Sequence, residues 1–360
     1  MEKQYYPKYD VISRATFDPR PTRYKCGPSD EALQALRQYA EEIGSALAMQ
    51  LLPVPDPPPI TLETSNDELV CVSSSSPRPL TPAAVEELSS QALVEKCQEV
   101  LKSLEDVCKG MTEPFCLSGT EHQHDSNEWH ALRAPRATAS EAKALIGLLG
   151  KRSTQEGKKN FLLKKIWRQG DISKLPAVRY GRQNEPNARA AYIADMERRG
   201  VTAHVVLAGM WIDPAFPQLS CSPDGIVIYW ENGTLQIALL EIKCPLSLKE
   251  KDPNKFDEHL TEKQAKNFCL VRSKDGTIKL KKAHRYNFQV QMSMDILQKV
   301  THCQFVVWSS AGTIIFNVPY DQKFWKPKKM QLLQVHRELI LPELVLKKTL
   351  QGFPPVLLKW

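Results

Sequence analysis

The chain has 360 residues, of which 42% are hydrophobic and 25% charged, so it can bury a sizeable core and is not a wholly disordered polypeptide. Its formal charge of +7 suits a polyanionic partner without identifying one. Nine cysteines with no C-x-x-C pair, a polar and aromatic start over Met1–Asp10, and no run near the roughly 18 apolar residues of a membrane span argue against a secreted disulfide scaffold or a membrane protein. The expectation is a soluble intracellular protein, nuclear if the cell is eukaryotic.

Asp30 is placed to cap a helix reaching about Leu52, which makes 1–52 an N-terminal helical segment. Residues 53–81 are rich in Pro and Ser, a composition too poor in apolar surface to order itself, and read as a linker. Thr81-Pro82 opens a second helix that lasts to about Cys108 and stops at Gly110, within a helical connector over 82–120. Cys116, His122 and His124 are zinc-type residues, but their spacing fits no closed four-ligand site.

From there the apolar periodicity switches repeatedly between helix and strand, and 121–350 reads as one α/β domain. Helices are expected near Ser140–Leu149, Phe161–Trp167, Asn184–Arg199, Ala283–Gln298 and Asp321–Ile340. Strands are expected near Ala203–Ile212, Gly225–Trp230, Leu235–Cys244, Gln304–Ser309 and Thr313–Val318. That order implies a mixed sheet flanked by helices. Lys151–Arg168 carries seven basic residues, Lys158, Lys159, Lys164 and Lys165 among them, against the single acid Glu156, which suggests a phosphate-tracking surface.

Glu231-Asn232-Gly233-Thr234 separates two β-prone runs, and Asn-Gly is a strong signal for a two-residue hairpin turn. Pairing Glu231 with Thr234 puts Asp224 directly across from Glu241. Strand alternation sends Glu241 and Lys243 to one face and Ile242 to the other. Two carboxylates about 4 Å apart repel by roughly 4 kcal/mol at an effective dielectric near 20. Adding Glu185, at the start of an expected helix, leaves the cluster negative beside Lys243 and suited to a hard divalent cation such as Mg²⁺, with Mn²⁺ the alternative. Such a centre suits phosphodiester hydrolysis.

Ser222-Pro223-Asp224-Gly225 followed by Leu240-Glu241-Ile242-Lys243-Cys244-Pro245 resembles the YqaJ-like viral recombinase family, to which lambda exonuclease is similar. Trp129-His130-Ala131-Leu132-Arg133, Thr138-Ala139-Ser140, Gly181–Glu185 and Tyr286–Met294 match further elements in family order. The resemblance implies a restriction-endonuclease-like fold of the PD-(D/E)xK type and Mg²⁺-dependent cleavage of DNA, 5′ to 3′ in its best-known members. It implies Asp224, Glu241 and the Ile242 carbonyl as metal ligands, Lys243 as the residue that positions water, Glu185 as a second-metal ligand or proton acceptor, and Gln289 as a support for the lysine or water.

Arg133 matches an arginine on the 5′-terminal phosphate, and Thr138 or Ser140 is expected to cap a helix whose N-terminus favours that phosphate. Three departures from the family stand out: the hairpin is long, a charged stretch at 249–282 reads as an insertion, and the N-terminal 120 residues match no family element. The expected function is a DNA exonuclease of recombination or repair. The alternatives are a DNA-binding scaffold without turnover and a structure-specific endonuclease. DNA is the expected partner and a membrane is not, while self-association and a protein partner for the N-terminal helices stay open.

Overall fold

The computed structural model describes residues 88–359 apart from 122, 171–173 and 232. The expected helix at Asp30–Leu52 and the 53–81 linker lie outside the described residues. The first described helix, α1 (Ser90–Asp106), is capped by the Ser89 side chain, which accepts from Ala92 N at 3.2 Å.

The centre is a five-stranded mixed sheet of β1 (Ala203–Val206), β2 (Gly225–Glu231), β3 (Thr234–Lys243), β4 (His302–Ser309) and β5 (Gly312–Pro319). The spatial order is β5-β4-β3-β2-β1, with β3 and β4 parallel and the other neighbours antiparallel. Central β3 is buried from Ile237 to Ile242, as expected of a strand covered on both faces. Of the expected strands, only Ala203–Ile212 divides: β1 stops at Val206, and Met210–Ile212 pairs instead with Phe115–Leu117.

Helices cover the sheet: α2 (Asn127–Arg133), α3 (Ala142–Leu148), α4 (Gln155–Lys165), α5 (Pro176–Arg198), α6 (Arg285–Leu297), α7 (Gln322–Val335) and α8 (Leu341–Leu346). The helix expected from Asn184 begins eight residues earlier, at Pro176. Proline is preorganised at a helix start, where its missing N–H costs nothing. α6 is buried at nine of its thirteen positions and forms the inner layer of the main core with β3 and β4. Among the described residues, no helix is long and apolar enough to cross a membrane.

Two segments outside the sheet are packed against the domain. Leu93 and Cys97 of α1 cluster with Leu341 and Leu358 near the C-terminus. The 249–282 stretch, expected as an insertion, forms short helices Phe256–His259 and Glu262–Asn267 and a hairpin of Leu270–Arg272 with Ile278–Leu280. Phe256, Leu260, Phe268, Leu270 and Leu280 enter the main core, so its charged side chains are one face of a folded layer.

Candidate active site

The β2–β3 hairpin has the register that its turn demands: Glu231 pairs with Thr234 and the ladder runs to Gly225 opposite Leu240. Gly233 takes φ 72°, which the turn requires and glycine adopts without strain. Asp224 lies one residue past the ladder, across from Glu241, and its Oδ2 accepts from the Ile242 backbone N–H at 2.7 Å. Gly225 is needed here, because a Cβ would stand 2.9 Å from Val205 Cγ1 on β1.

Glu241 is fully buried. Its Oε1 accepts from Lys243 Nζ and from Gln289 Nε2 on α6, while Oε2 is buried without a hydrogen-bond partner. Lys243 Nζ also lies 4.0 Å from Asp224 Oδ2 and 4.7 Å from the centre of the Tyr286 ring. Burial acts to lower the Lys243 pKa, but the Glu241 and Asp224 charges outweigh it and hold the ammonium above its ordinary value. Burial is the main cause that pushes Glu241 up to about 8, with the Asp224 charge adding to it.

Glu185 on α5 shares this environment, and its carboxyl is pushed up to about 7 by burial and then by Asp224. It is half-buried and salt-bridged to Arg189 Nη2 at 2.6 Å, one helical turn on. Arg189 Nη2 also donates to the Asp224 carbonyl at 3.3 Å. Asp224, Glu185 and Lys243 line one cavity of about 630 Å³, whose other walls include Arg182, Arg285 and Tyr286.

A second charged cluster sits beside the loop that delivers Asp224. Trp129 Nε1 donates to Ser222 Oγ at 2.9 Å, and Gln123 Nε2 donates to the Pro223 carbonyl at 2.9 Å, which fixes α2 against that loop. Ala137–Thr138 pairs in parallel with Leu219–Ser220, a few residues before Asp224. Arg133 stacks over Trp129, with its guanidinium 4.3 Å from the ring centre, and Nη2 donates to Thr138 Oγ1 and Ser140 Oγ at 3.2 Å each. His130 lies among Arg168, Arg133 and Arg182, and its pKa is lowered by burial first and by those cations in addition.

Several expected roles change. Thr138 and Ser140 do not cap a helix: Thr138 makes no side-chain cap bond, and α3 begins after a 3-10 turn at Ala139–Glu141, so both hydroxyls serve Arg133 instead. Lys165 is no surface cation. It is buried and donates to Glu141 Oε2 at 2.8 Å. Lys159 is tied to the Gly352 carbonyl at 2.7 Å; Lys164 is exposed and Lys158 half-buried. Burial acts to raise Glu141, but Lys165 and Arg133 outweigh it and hold the carboxyl at about 2.

Sequence reasoning missed Arg189, although its four-residue spacing from Glu185 was a usable signal. It also missed the Tyr286 contact with Lys243 and the cavity wall at Asn267, Phe268 and Cys269, which only the tertiary fold supplies.

Among the described residues, no three His, Cys, Asp or Glu side chains converge in an arrangement that could hold a metal ion; the Lys243 ammonium sits between the carboxylates. The donor set nevertheless fits a hard cation through two acids. An uncompensated buried carboxylate oxygen costs on the order of 1–3 kcal/mol or more, and Glu241 Oε2 is such an atom beside Asp224. Glu185 fits less well, because Arg189 already compensates it.

A mixed sheet whose central hairpin joins Asp, Glu and Lys at one point defines the PD-(D/E)xK class on a restriction-endonuclease-like fold. Residues 128–304 match the family model of the YqaJ-like viral recombinase domain. A comparison with curated protein sequences finds no match.

Among solved structures, the chain is similar to an alkaline exonuclease, LHK-Exo, from Laribacter hongkongensis, at 22% identity over 63% of this chain and 97% of that one with a TM-score of 0.42. The same enzyme in complex with dAMP gives a TM-score of 0.43 over 63% of this chain and 98% of that one, again at 22% identity. A SOX–DNA complex aligns at 13% identity over 69% of this chain and 71% of that chain with a TM-score of 0.34.

Proposed function

We propose that this protein is a metal-dependent deoxyribonuclease that digests duplex DNA from its ends, 5′ to 3′, in recombination or repair. The observation that carries the reading is the meeting of Asp224 and Lys243, which line one cavity, with the buried Glu241, which accepts from Lys243 and has one carboxylate oxygen unpartnered. Asp224 and Glu241, with the Ile242 carbonyl, would hold Mg²⁺ or Mn²⁺. The bound ion supplies charge neutralisation at the phosphate and a more acidic water.

The chain's own residues set up the rest. Lys243, kept protonated by its acid neighbours and packed under Tyr286, donates to the attacking water and to the developing charge on the phosphate oxygens. Gln289 fixes the Glu241 carboxylate. Glu185, whose carboxyl is pushed above its ordinary value by burial and then by Asp224, accepts a proton at the cavity edge.

Arg133 receives the 5′-terminal phosphate. In its surroundings Arg133 and Lys165 face the single acid Glu141, an excess of positive charge that favours an anion, and the Thr138 and Ser140 hydroxyls hold the guanidinium fork in place. The test is digestion of linear and covalently closed circular duplexes with and without Mg²⁺. The expected result is nucleotide release from linear, 5′-phosphorylated DNA only. Cutting of the closed circle contradicts the end-dependent mode.

A further inference from the structure

The 249–282 segment has no part in this reading, yet it reaches the catalytic cavity. Asn267, Phe268 and Cys269 form a wall of the same cavity that Asp224 and Lys243 line. The wall is fixed from several sides. Phe268 stacks on Phe256 at 5.5 Å, and the Glu262–Asn267 helix opens with a reciprocal capping box between Thr261 and Gln264.

At the other end of that helix, Lys281 Nζ reaches back to the Ala265 and Lys266 carbonyls at 2.8 and 3.2 Å. Arg272 grips Asp257 through two bonds of 2.7 and 3.0 Å. This is a braced element rather than a solvated loop.

Its outward charge is basic. Lys263 and Lys266 are exposed, lie three residues apart on one helical face, and have no carboxylate partner among the described residues. Of the cavity's other cations, Arg285 adjoins the wall, its charge acting on Cys269, and Arg182 lies on α5 with Glu185; neither has a carboxylate partner among the described residues. Cations left unpaired around an acidic floor are arranged for a ligand that is anionic along its length.

We infer that the Glu262–Asn267 helix is a strand-tracking wall, with Lys263 and Lys266 contacting phosphates of the nucleic-acid strand that runs into the catalytic cavity. This rests on the nuclease reading for the direction of the strand, but its binding signature does not need turnover. A docking surface for a second protein is the competing occupant. The charge excess, and the continuity of the wall with the catalytic floor, favour the nucleic acid.

The experiment uses the full chain and a 5′-phosphorylated single-stranded 20-mer. Binding is followed by fluorescence anisotropy in EDTA over a range of salt, for the wild type, Lys263→Ala/Lys266→Ala and Lys263→Arg/Lys266→Arg. Neutralised phosphates release counterions at about 0.7 per contact on a single strand. The alanine pair should therefore reduce the slope of log K against log salt by about 1.4, and the arginine pair should keep it.

Hydrolysis of the p-nitrophenyl ester of thymidine 5′-monophosphate in Mg²⁺, too short to reach the wall, should be unchanged by the alanine pair. An unchanged slope overturns the inference, as does an equal loss on the short ester. A wild type that binds with the expected slope difference yet cleaves nothing leaves the wall standing and removes the nuclease reading. A wild type that cleaves with no slope difference does the reverse.

Discussion

The two charged clusters of this domain are built in opposite senses. At the hairpin, three acids, Asp224, Glu185 and Glu241, stand against two cations, Lys243 and Arg189, an excess of one acid around a fully buried carboxyl group. Beside α2, Arg133 and Lys165 stand against Glu141 alone, which leaves one positive charge. Burying charge is costly unless it is compensated, and the proposed function assigns a cation to the first excess and an anion to the second. The pKa values follow the same division, with Glu241 and Glu185 raised and Glu141 held at about 2.

The largest effect should come from removing charge at the first cluster while keeping its shape. Asp224→Asn can still accept from the Ile242 N–H through its amide oxygen, so the fold should persist. Cleavage in single-turnover assays should nevertheless fall by about a thousandfold, on the order of 4 kcal/mol of transition-state stabilisation. Retained cleavage would mean that the negative excess at the hairpin has no catalytic use.

At the second cluster, Lys165→Met should destabilise the domain by about 3 kcal/mol in denaturant unfolding, because it strands the Glu141 carboxylate. The sign with pH is fixed. Glu141 is held below its unfolded value, so its contribution is present above pH 4.5 and is lost as pH falls toward about 2. Glu141→Gln should remove that part of the acid sensitivity.

Arg133→Ala should cost about 2 kcal/mol, seen as a KM for 5′-phosphorylated ends that rises roughly thirtyfold. Ends carrying a 5′-hydroxyl should show little change. An equal loss on both would make Arg133 a packing residue on Trp129 rather than a phosphate contact. The smallest effect is expected for Trp129→Phe, which removes the bond to Ser222, one of several that hold α2 and its neighbours against the Asp224 loop, and should lower stability by about 1 kcal/mol.

How much of this was legible in the sequence follows from how local each device is. The hairpin was readable because Asn-Gly sets the register and strand alternation then fixes which side chains meet, so the placement of Asp224 opposite Glu241 needed no tertiary information. The mixed sheet was readable for similar reasons of periodicity. The Glu141–Lys165 pair was not, because its members lie 24 residues apart on different elements and only packing joins them.

Lys165 therefore read as one more surface cation. That the 249–282 insertion folds into a packed layer was not legible, because its charges outnumber its apolar residues, while Phe256, Leu260, Phe268 and Leu280 are spaced across turns with no single period. Arg133 was singled out by a family resemblance, and its stacking and hydroxyl partners emerged only in three dimensions.

The most direct measurement is single-turnover digestion of a linear 5′-phosphorylated duplex by the wild type and by Lys243→Ala, each with Mg²⁺ and with EDTA. The account predicts nucleotide release by the wild type in Mg²⁺ alone, and almost none by the variant in either condition. Equal release by both proteins, or release that persists in EDTA, would contradict it.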